Sequence, residues 1–387
     1  MGSCRFEVER YPLSKYDEAL IKNMGTQRSI FTSKTICDLI QFALDILPGM
    51  YCPKEKLFCF ERRVDGKKIG ISTRYTLICL IGLHRARAAG YRSSFNLDLS
   101  YDAVGMRPLP TVADKGLFLW AGTLLGKDLE DLYQRLSVQL EAEILDLSGM
   151  DLGLALSGLV AYASLGRSEE ALHLAERLKS FILRSCLHSE SHLFYHRGRA
   201  GFRKHLPNLA TQIYLMYALA QYAVLAKDEE AGNIAALCGQ TLCLFQRSDG
   251  GWPWIYHSRG RVVEDYEIYS VHQDAMMPMA LLEIEESTSS IFRDSIGLGL
   301  GWLFGGNDLQ VEMIDSDAKI INRSIRRHFP LDRIVLGINA TSSSLLKRSF
   351  LHNAGIGLEV NRTCRPYHPG WILQAWCGRE TVLSEYG

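Results

Sequence analysis

The sequence predicts an all-α chain whose helical hairpins close into an (α/α)6 barrel, with short β-hairpins inserted at one end. Three observations point there. Two unlike helices alternate along the chain, the first of each pair apolar on nearly every face and the second on one face only. Basic, turn-rich segments precede several of the all-apolar helices. The 387 residues are 47% hydrophobic, enough to bury a large core.

The repeat is plainest in "DKGLFLWAGTLLGKDLEDLYQRLSVQLEAEIL", "DLGLALSGLVAYASLGRSEEALHLAERLKSFIL" and "LATQIYLMYALAQYAVLAKDEEAGNIAALCGQTLCLF". A helix without a polar face is buried all round, whereas an amphipathic one shows a side to water. Such hairpins cannot bury their apolar faces singly, so they stack or close into a ring. Extending the pattern gives inner helices starting near Arg74, Asp114, Asp151, Asn208, Ser270 and His368, with outer partners at 33–48, 128–145, 168–186, 228–246 and 287–304. The stretch 90–112 reads mostly as loop, which leaves one outer partner unassigned. An open solenoid of four or five hairpins is the alternative. Residues 1–30 read as an N-terminal extension and 31–387 as one barrel domain, with 305–365 irregular.

Three basic segments read as β-hairpins: "LFCFERRVDGKKIGIS", "HLFYHRGRAGFRKH" and "WPWIYHSRGRVVEDYEIYS", turning at Asp65-Gly66, Arg197-Gly198 and Arg259-Gly260. All precede inner helices and so decorate one end of the barrel, where function usually sits.

Lys+Arg and Asp+Glu both total 43, so no global field recruits nucleic acid or a membrane. Ten scattered cysteines without a CxxC pair fit reduced thiols in the cytoplasm. The start "MGSCRFEVERYP" lacks the apolar core of a signal peptide. The run "LGLALSGLVAYASLG" is too short to span a bilayer comfortably, so no membrane insertion is expected.

Because the inner helices start at the decorated end, their first-turn residues converge there. These are Arg74 and Tyr75; Asp114 and Lys115; Asp151; Asn208 and Gln212; His272, Gln273 and Asp274; Tyr367 and His368. Helix capping accounts for Asp151 and Asn208. It does not account for Arg74, His272 or the Tyr367-His368 pair, since a cation is disfavoured at a positive helix end without an anion nearby. "DYEIYSVHQDA" adds Tyr266, Glu267 and Tyr269. Histidine is the usual acid or base near neutrality, and tyrosine joins it when cations lower its pKa. Trp252 and Trp254 either face a ligand or plug the barrel end as packing. Pro278 implies a kink or a missing backbone bond in its helix. Arginines in the decorations, Arg365 among them, suit a carboxylate or phosphate. The predicted catalytic set is therefore His272, Asp274, Tyr266, Tyr269 and Asp151. The predicted binding set is Arg74, Tyr75, Asn208, Gln212, Trp252, Trp254, Glu267, Gln273, Arg365, Tyr367 and His368. No Walker A loop, Rossmann fingerprint, HExxH or GxSxG occurs, and no cofactor is expected. His188, His192 and His196 are spaced for a metal on a helix, but they straddle a helix end and a strand, so no metal site is predicted.

The hairpin repeat with "DGGWPW" and "YSVHQDAMMPMALLEI" resembles the six-hairpin (α/α)6 superfamily of carbohydrate-active enzymes, which includes unsaturated-uronyl hydrolases, polysaccharide lyases and sugar epimerases. That resemblance implies an enzyme of acid/base chemistry on an anionic, uronic-acid-type saccharide or oligosaccharide. Proton abstraction beside a carboxylate would use Arg74, Arg365, Tyr266, Tyr269 and His272; hydrolysis would use Asp151 and Asp274. A second resemblance competes. "QRSDGGW" fits the core of the QW motif of squalene–hopene-type terpene cyclases, although it occurs once, with only "DSDA" in place of a DxDD acid. A terpenoid cyclase and a non-catalytic helical-repeat binding protein are the alternatives.

Overall fold

The computed structural model describes residues 31–164, 166, 168–327 and 357–384. The proposed extension 1–30, and much of the irregular stretch 305–365, lie outside them. Twelve α-helices are present among the described residues. Six form an inner ring: α2 (Thr73–Ala88), α4 (Val112–Leu124), α6 (Gly149–Ser164), α8 (Leu209–Ala226), α10 (Met277–Ser287) and α12 (Tyr367–Trp376). Each packs on the next, and α12 closes onto α2. This is an (α/α)6 barrel, and the open solenoid is excluded.

The outer layer is α3 (Leu97–Gly105) on α2, α5 (Glu130–Glu143) on α4, α7 (Glu169–Phe181) on α6, α9 (Glu229–Leu244) on α8 and α11 (Arg293–Leu303) beside α10. The sixth outer helix is α1 (Ser33–Ile46), which covers α12, so the first and last described helices make the sixth pair. The stretch 90–112 therefore needs correction. Asn96 caps α3 by accepting from Leu99 N–H at 2.9 Å, and the helix buries Leu97, Tyr101 and Val104 on one side. Its nine residues are too short to show the repeat's periodicity.

Inner helices come close because small residues face one another. A Cβ on Gly82 of α2 would collide with the Gly370 carbonyl of α12, and one on Gly158 of α6 would stand 3.0 Å from Gly116 Cα of α4. By length and composition α8 is apolar enough to cross a bilayer, but 78% of that window is buried inside the barrel.

The decorations gather where the inner helices begin. Strands β2 (Leu57–Arg63) and β3 (Lys68–Ile71) form the first predicted hairpin, flanked by β1 (Tyr51–Cys52) and β11 (Thr363–Cys364). Strands β4 (Ile255–His257) and β5 (Arg261–Glu264) form the last one. The middle segment is not a hairpin. It makes single bridges, Leu187 to Phe194 and Ser148 to Arg197, and ends in a 3-10 turn, Phe202–His205. Strand β6 (Ile268–Tyr269) pairs with β9 (Ser324–Arg327), which pairs with β10 (Leu358–Asn361). Strands β7 (Ile314–Asp315) and β8 (Ile320–Ile321) make a small hairpin.

Candidate active site

Two inner helices start with the same local device. Thr111 caps α4, accepting from Asp114 N–H at 3.1 Å, and its hydroxyl donates to Asp114 Oδ2 at 2.6 Å. At the start of α6, Asp151 N–H donates to Ser148 Oγ at 3.3 Å, and the Ser148 hydroxyl donates to Asp151 Oδ2 at 2.5 Å. "TVAD" and "SGMD" are thus matched capping-box variants, and they set one carboxyl at the mouth end of each of two adjacent inner helices.

Arg74, in the first turn of α2, joins them. Its Nε donates to Asp114 Oδ1 at 2.7 Å and its Nη2 to Thr111 Oγ1 at 2.9 Å. Burial works against the Arg74 charge, and Asp114, Asp151 and Tyr214 of α8 together outweigh it. Asp114 consequently spends both oxygens. Asp151 is half-buried, and its Oδ1 has no hydrogen-bond partner among the described residues. Sequence reasoning placed Asp114 at the convergence but left it out of the predicted set; the repeated hydroxyl-x-x-Asp spacing was the available signal. The connection before α8 covers this corner: His196 O accepts from Gly149 N–H at 2.9 Å, and burial followed by Arg197 and Arg203 holds its imidazole below the usual range.

Beside this corner the helix starts are aromatic. Tyr75 stacks on Phe60 at 5.6 Å and meets Tyr367 at 4.7 Å. Trp254 stacks on His272 at 5.2 Å and takes Tyr269 edge-on at 5.0 Å. Pairing of β6 with β9 brings Arg323 alongside, its guanidinium 5.4 Å over the Tyr269 ring. The Tyr269 hydroxyl donates to Glu267 Oε2 at 2.8 Å. Burial pushes the phenols of Tyr269, Tyr367 and Tyr214 above their ordinary pKa, so they stay protonated near neutrality. The expectation that cations would lower a tyrosine is corrected: desolvation outweighs the arginines, and these phenols stay protonated.

Several predicted residues are tied into the packing. Tyr266 is buried and donates to Asp308 in a network with Arg247 and Asp249. His272 is buried beneath Trp254; desolvation, then His368 and Arg323, lower its pKa to about 3, which leaves it neutral and a poor acid or base near pH 7. Asp274 is fully buried, and His368 Nε2 donates to its oxygens at 2.7 and 2.9 Å. Burial raises the Asp274 carboxyl, opposed by His368. That pair rivets the segment leading into α10 to α12. Gln212 and Gln273 are backbone clamps. Gln212 accepts from Phe194 N–H and donates to Phe194 O, both at 2.7 Å. Gln273 accepts from Trp252 N–H and donates to Tyr269 O, both at 3.0 Å. Arg365 binds Glu61 at 2.9 Å and Phe60 O at 3.0 Å, with its guanidinium 3.9 Å over the Phe60 ring. Asn208 caps α8, accepting from Thr211 N–H at 2.9 Å.

A π-turn, His272–Met276, opens the helix that carries these residues, with Pro278 just beyond it. Pro278 has no N–H to offer the Asp274 carbonyl four residues earlier, and Trp376 Nε1 takes that acceptor at 2.6 Å.

"QRSDGGW" is likewise absorbed by packing. Gln246 Nε2 donates to Gly250 O and Ser295 O at 2.8 and 2.9 Å, tying the turn to α11. Gly250, at φ +92°, passes against the Leu298 carbonyl. Trp252 is fully buried, on Gly299 of α11. "DSDA" is the β7–β8 turn, where Asp315 Oδ1 accepts from Ala318 N–H at 2.8 Å. Among the described residues no His, Cys, Asp or Glu group is arranged to hold a metal.

No family model and no curated protein matches the sequence. Solved structures do match. One is an unsaturated glucuronyl hydrolase specific for heparin, at TM-score 0.55 and 12% identity over 95% of this chain and 98% of that one. Another is the unsaturated glucuronyl hydrolase of Bacillus sp. GL1, responsible for degradation of glycosaminoglycan, at TM-score 0.57 and 13% identity over 88% and 95%. A third is a possible GH105 family member from Salmonella enterica serovar Paratyphi A, at TM-score 0.59 and 11% identity over 93% and 96%. The chain thus has the fold of the (α/α)6-barrel glycosidase-type enzymes.

Proposed function

We propose that the chain is a carbohydrate-active enzyme that hydrolyses a uronic-acid-type saccharide. One observation carries this reading: the Arg74–Asp114 ion pair stands beside Asp151 at the mouths of adjacent inner helices. In the proposed chemistry Asp151 moves the proton, because it keeps one oxygen without a described partner. Asp114, fixed by Arg74 and Thr111, supplies the second carboxylate and holds its position. Two carboxyl groups flanking the reacting centre are what glycoside hydrolysis requires. Half-buried Tyr367, whose hydroxyl stays protonated, serves to bind a sugar hydroxyl, and half-buried Trp254 offers a ring face.

Similar architecture in two glucuronyl hydrolases supports the substrate class. Epimerase or lyase chemistry through Tyr266 and His272 has less support, since one is tied to Asp308 and the other is neutral and buried. The cyclase reading loses its motif to the packing of Trp252. The scattered cysteines favour a cytoplasmic enzyme.

The test is incubation of the protein with unsaturated glucuronyl disaccharides, saturated uronyl disaccharides and neutral disaccharides, with products followed by chromatography and NMR. Release of a free sugar from a uronyl substrate is the expected result. Cleavage confined to the neutral sugars would overturn the uronyl reading.

A further inference from the structure

Arg323 is a cation that the fold holds in place without an ion pair among the described residues. Arg74 has Asp114, Arg247 has Asp249 and Asp308, and Arg365 has Glu61, whereas no carboxylate among the described residues lies within ion-pair distance of Arg323. Its Nε is buried and has no hydrogen-bond partner among the described residues. The groups that act on its charge are Tyr367, Tyr269, Glu267 and Tyr75. Glu267 is itself occupied, by the Tyr269 hydroxyl on one oxygen and the Ser324 hydroxyl on the other.

The residue is rigidly mounted. Arg323 N–H donates to Asn361 O, and its carbonyl accepts from Ser270 N–H, both at 2.9 Å. Burial works against the guanidinium's charge, but the tyrosines and Glu267 outweigh it, so Arg323 stays charged while making no close ion pair and can still receive an anion. Pre-mounted charge of this kind is how a binding site is prepared in advance of its ligand.

We infer that Arg323 is the specificity-determining residue of the site, receiving the planar carboxylate of the sugar between the Tyr75–Tyr367 pair and the Tyr269 ring. This rests on the uronyl-hydrolase reading above. A guanidinium fork matches the two oxygens of a carboxylate and has no such match with the hydroxymethyl group of a neutral sugar. Arg323 thus selects the acid sugar, and the Asp114–Asp151 corner acts on it.

The test titrates a uronyl disaccharide and its carboxyl-reduced counterpart into the wild type, Arg323→Gln and Arg323→Lys, with melting temperatures taken alongside. The wild type is expected to prefer the acid. Arg323→Gln should lose about 10- to 100-fold in affinity for the acid, the worth of a charged hydrogen-bonded contact, and keep its affinity for the reduced sugar. Arg323→Lys keeps the charge without the fork and should fall between. It carries the comparison if the glutamine variant melts early. A folded variant that retains the full wild-type preference overturns the role of Arg323 and leaves the hydrolase reading standing. A wild type that cleaves the uronyl disaccharide but binds acid and reduced sugars alike overturns the role of Arg323 alone. A wild type that neither binds nor cleaves either sugar overturns both.

Discussion

At the level of single residues, polarity at a helix start divides into two kinds. Asp151 stands half-buried at the mouth of the barrel with Asp114 just beneath the surface, while Asp274, Gln212 and Gln273 lie fully buried. Type and spacing do not separate them, because a first-turn residue faces the mouth or a neighbouring helix according to its angle around the axis. Asp274 lies at the angle that meets His368, and Asp151 does not. Asp274→Asn alters a buried hydrogen-bonded pair with His368, so it should cost about 1–3 kcal/mol in a urea melt. It should leave kcat of the folded fraction within tenfold of wild type. A large kcat loss at unchanged stability would return Asp274 to the catalytic set. Trp252 and Trp254 divide the same way: two residues apart, one fills the gap over Gly299 and the other stays half-exposed on His272.

At the level of elements, the alternation of all-apolar and amphipathic helices was legible because every inner helix is walled in on all sides. Predicted inner starts at Arg74, Asp114, Asp151 and Asn208 fall within two residues of the observed helix starts. What periodicity could not show was helix α3, too short for two full repeats of its apolar face. Nor could it show that "HLFYHRGRAGFRKH" forgoes a hairpin. There Gln212 takes both backbone groups of Phe194, and His196 pairs with Gly149 and with Lys204, so the polar backbone is satisfied without a partner strand. The pairing of β6 with β9, which delivers Arg323 to the mouth, links segments more than fifty residues apart and leaves no local mark. Arg323 was visible only as one of many basic residues.

At the scale of the whole molecule, the imidazoles set the pH dependence. Burial first, with cationic neighbours adding to it, lowers His272 to about 3 and His257 to about 4, and it lowers His196 and His205 as well. The unfolded chain therefore binds more protons than the folded one below a histidine's ordinary pKa of about 6.5. Stability from these groups is complete above that value and falls as pH drops toward 4, by up to about 1.4 kcal/mol per pH unit for each histidine. Asp274, raised by burial, runs the other way and is relieved by acid. Urea midpoints between about pH 6.5 and 4.5 should decline steadily, and His257→Gln should flatten the slope; an unchanged slope would mean that His257 titrates normally. The barrel mouth joins these scales, because it is where two capping devices, one ion pair and a tyrosine wall coincide. Turnover of a uronyl disaccharide by wild type and Asp151→Asn, measured side by side with their melting temperatures, tests that claim most directly. The account predicts a loss in kcat of about 100-fold or more, the usual worth of a positioned acid or base, at unchanged stability. Undiminished turnover by Asp151→Asn would contradict it.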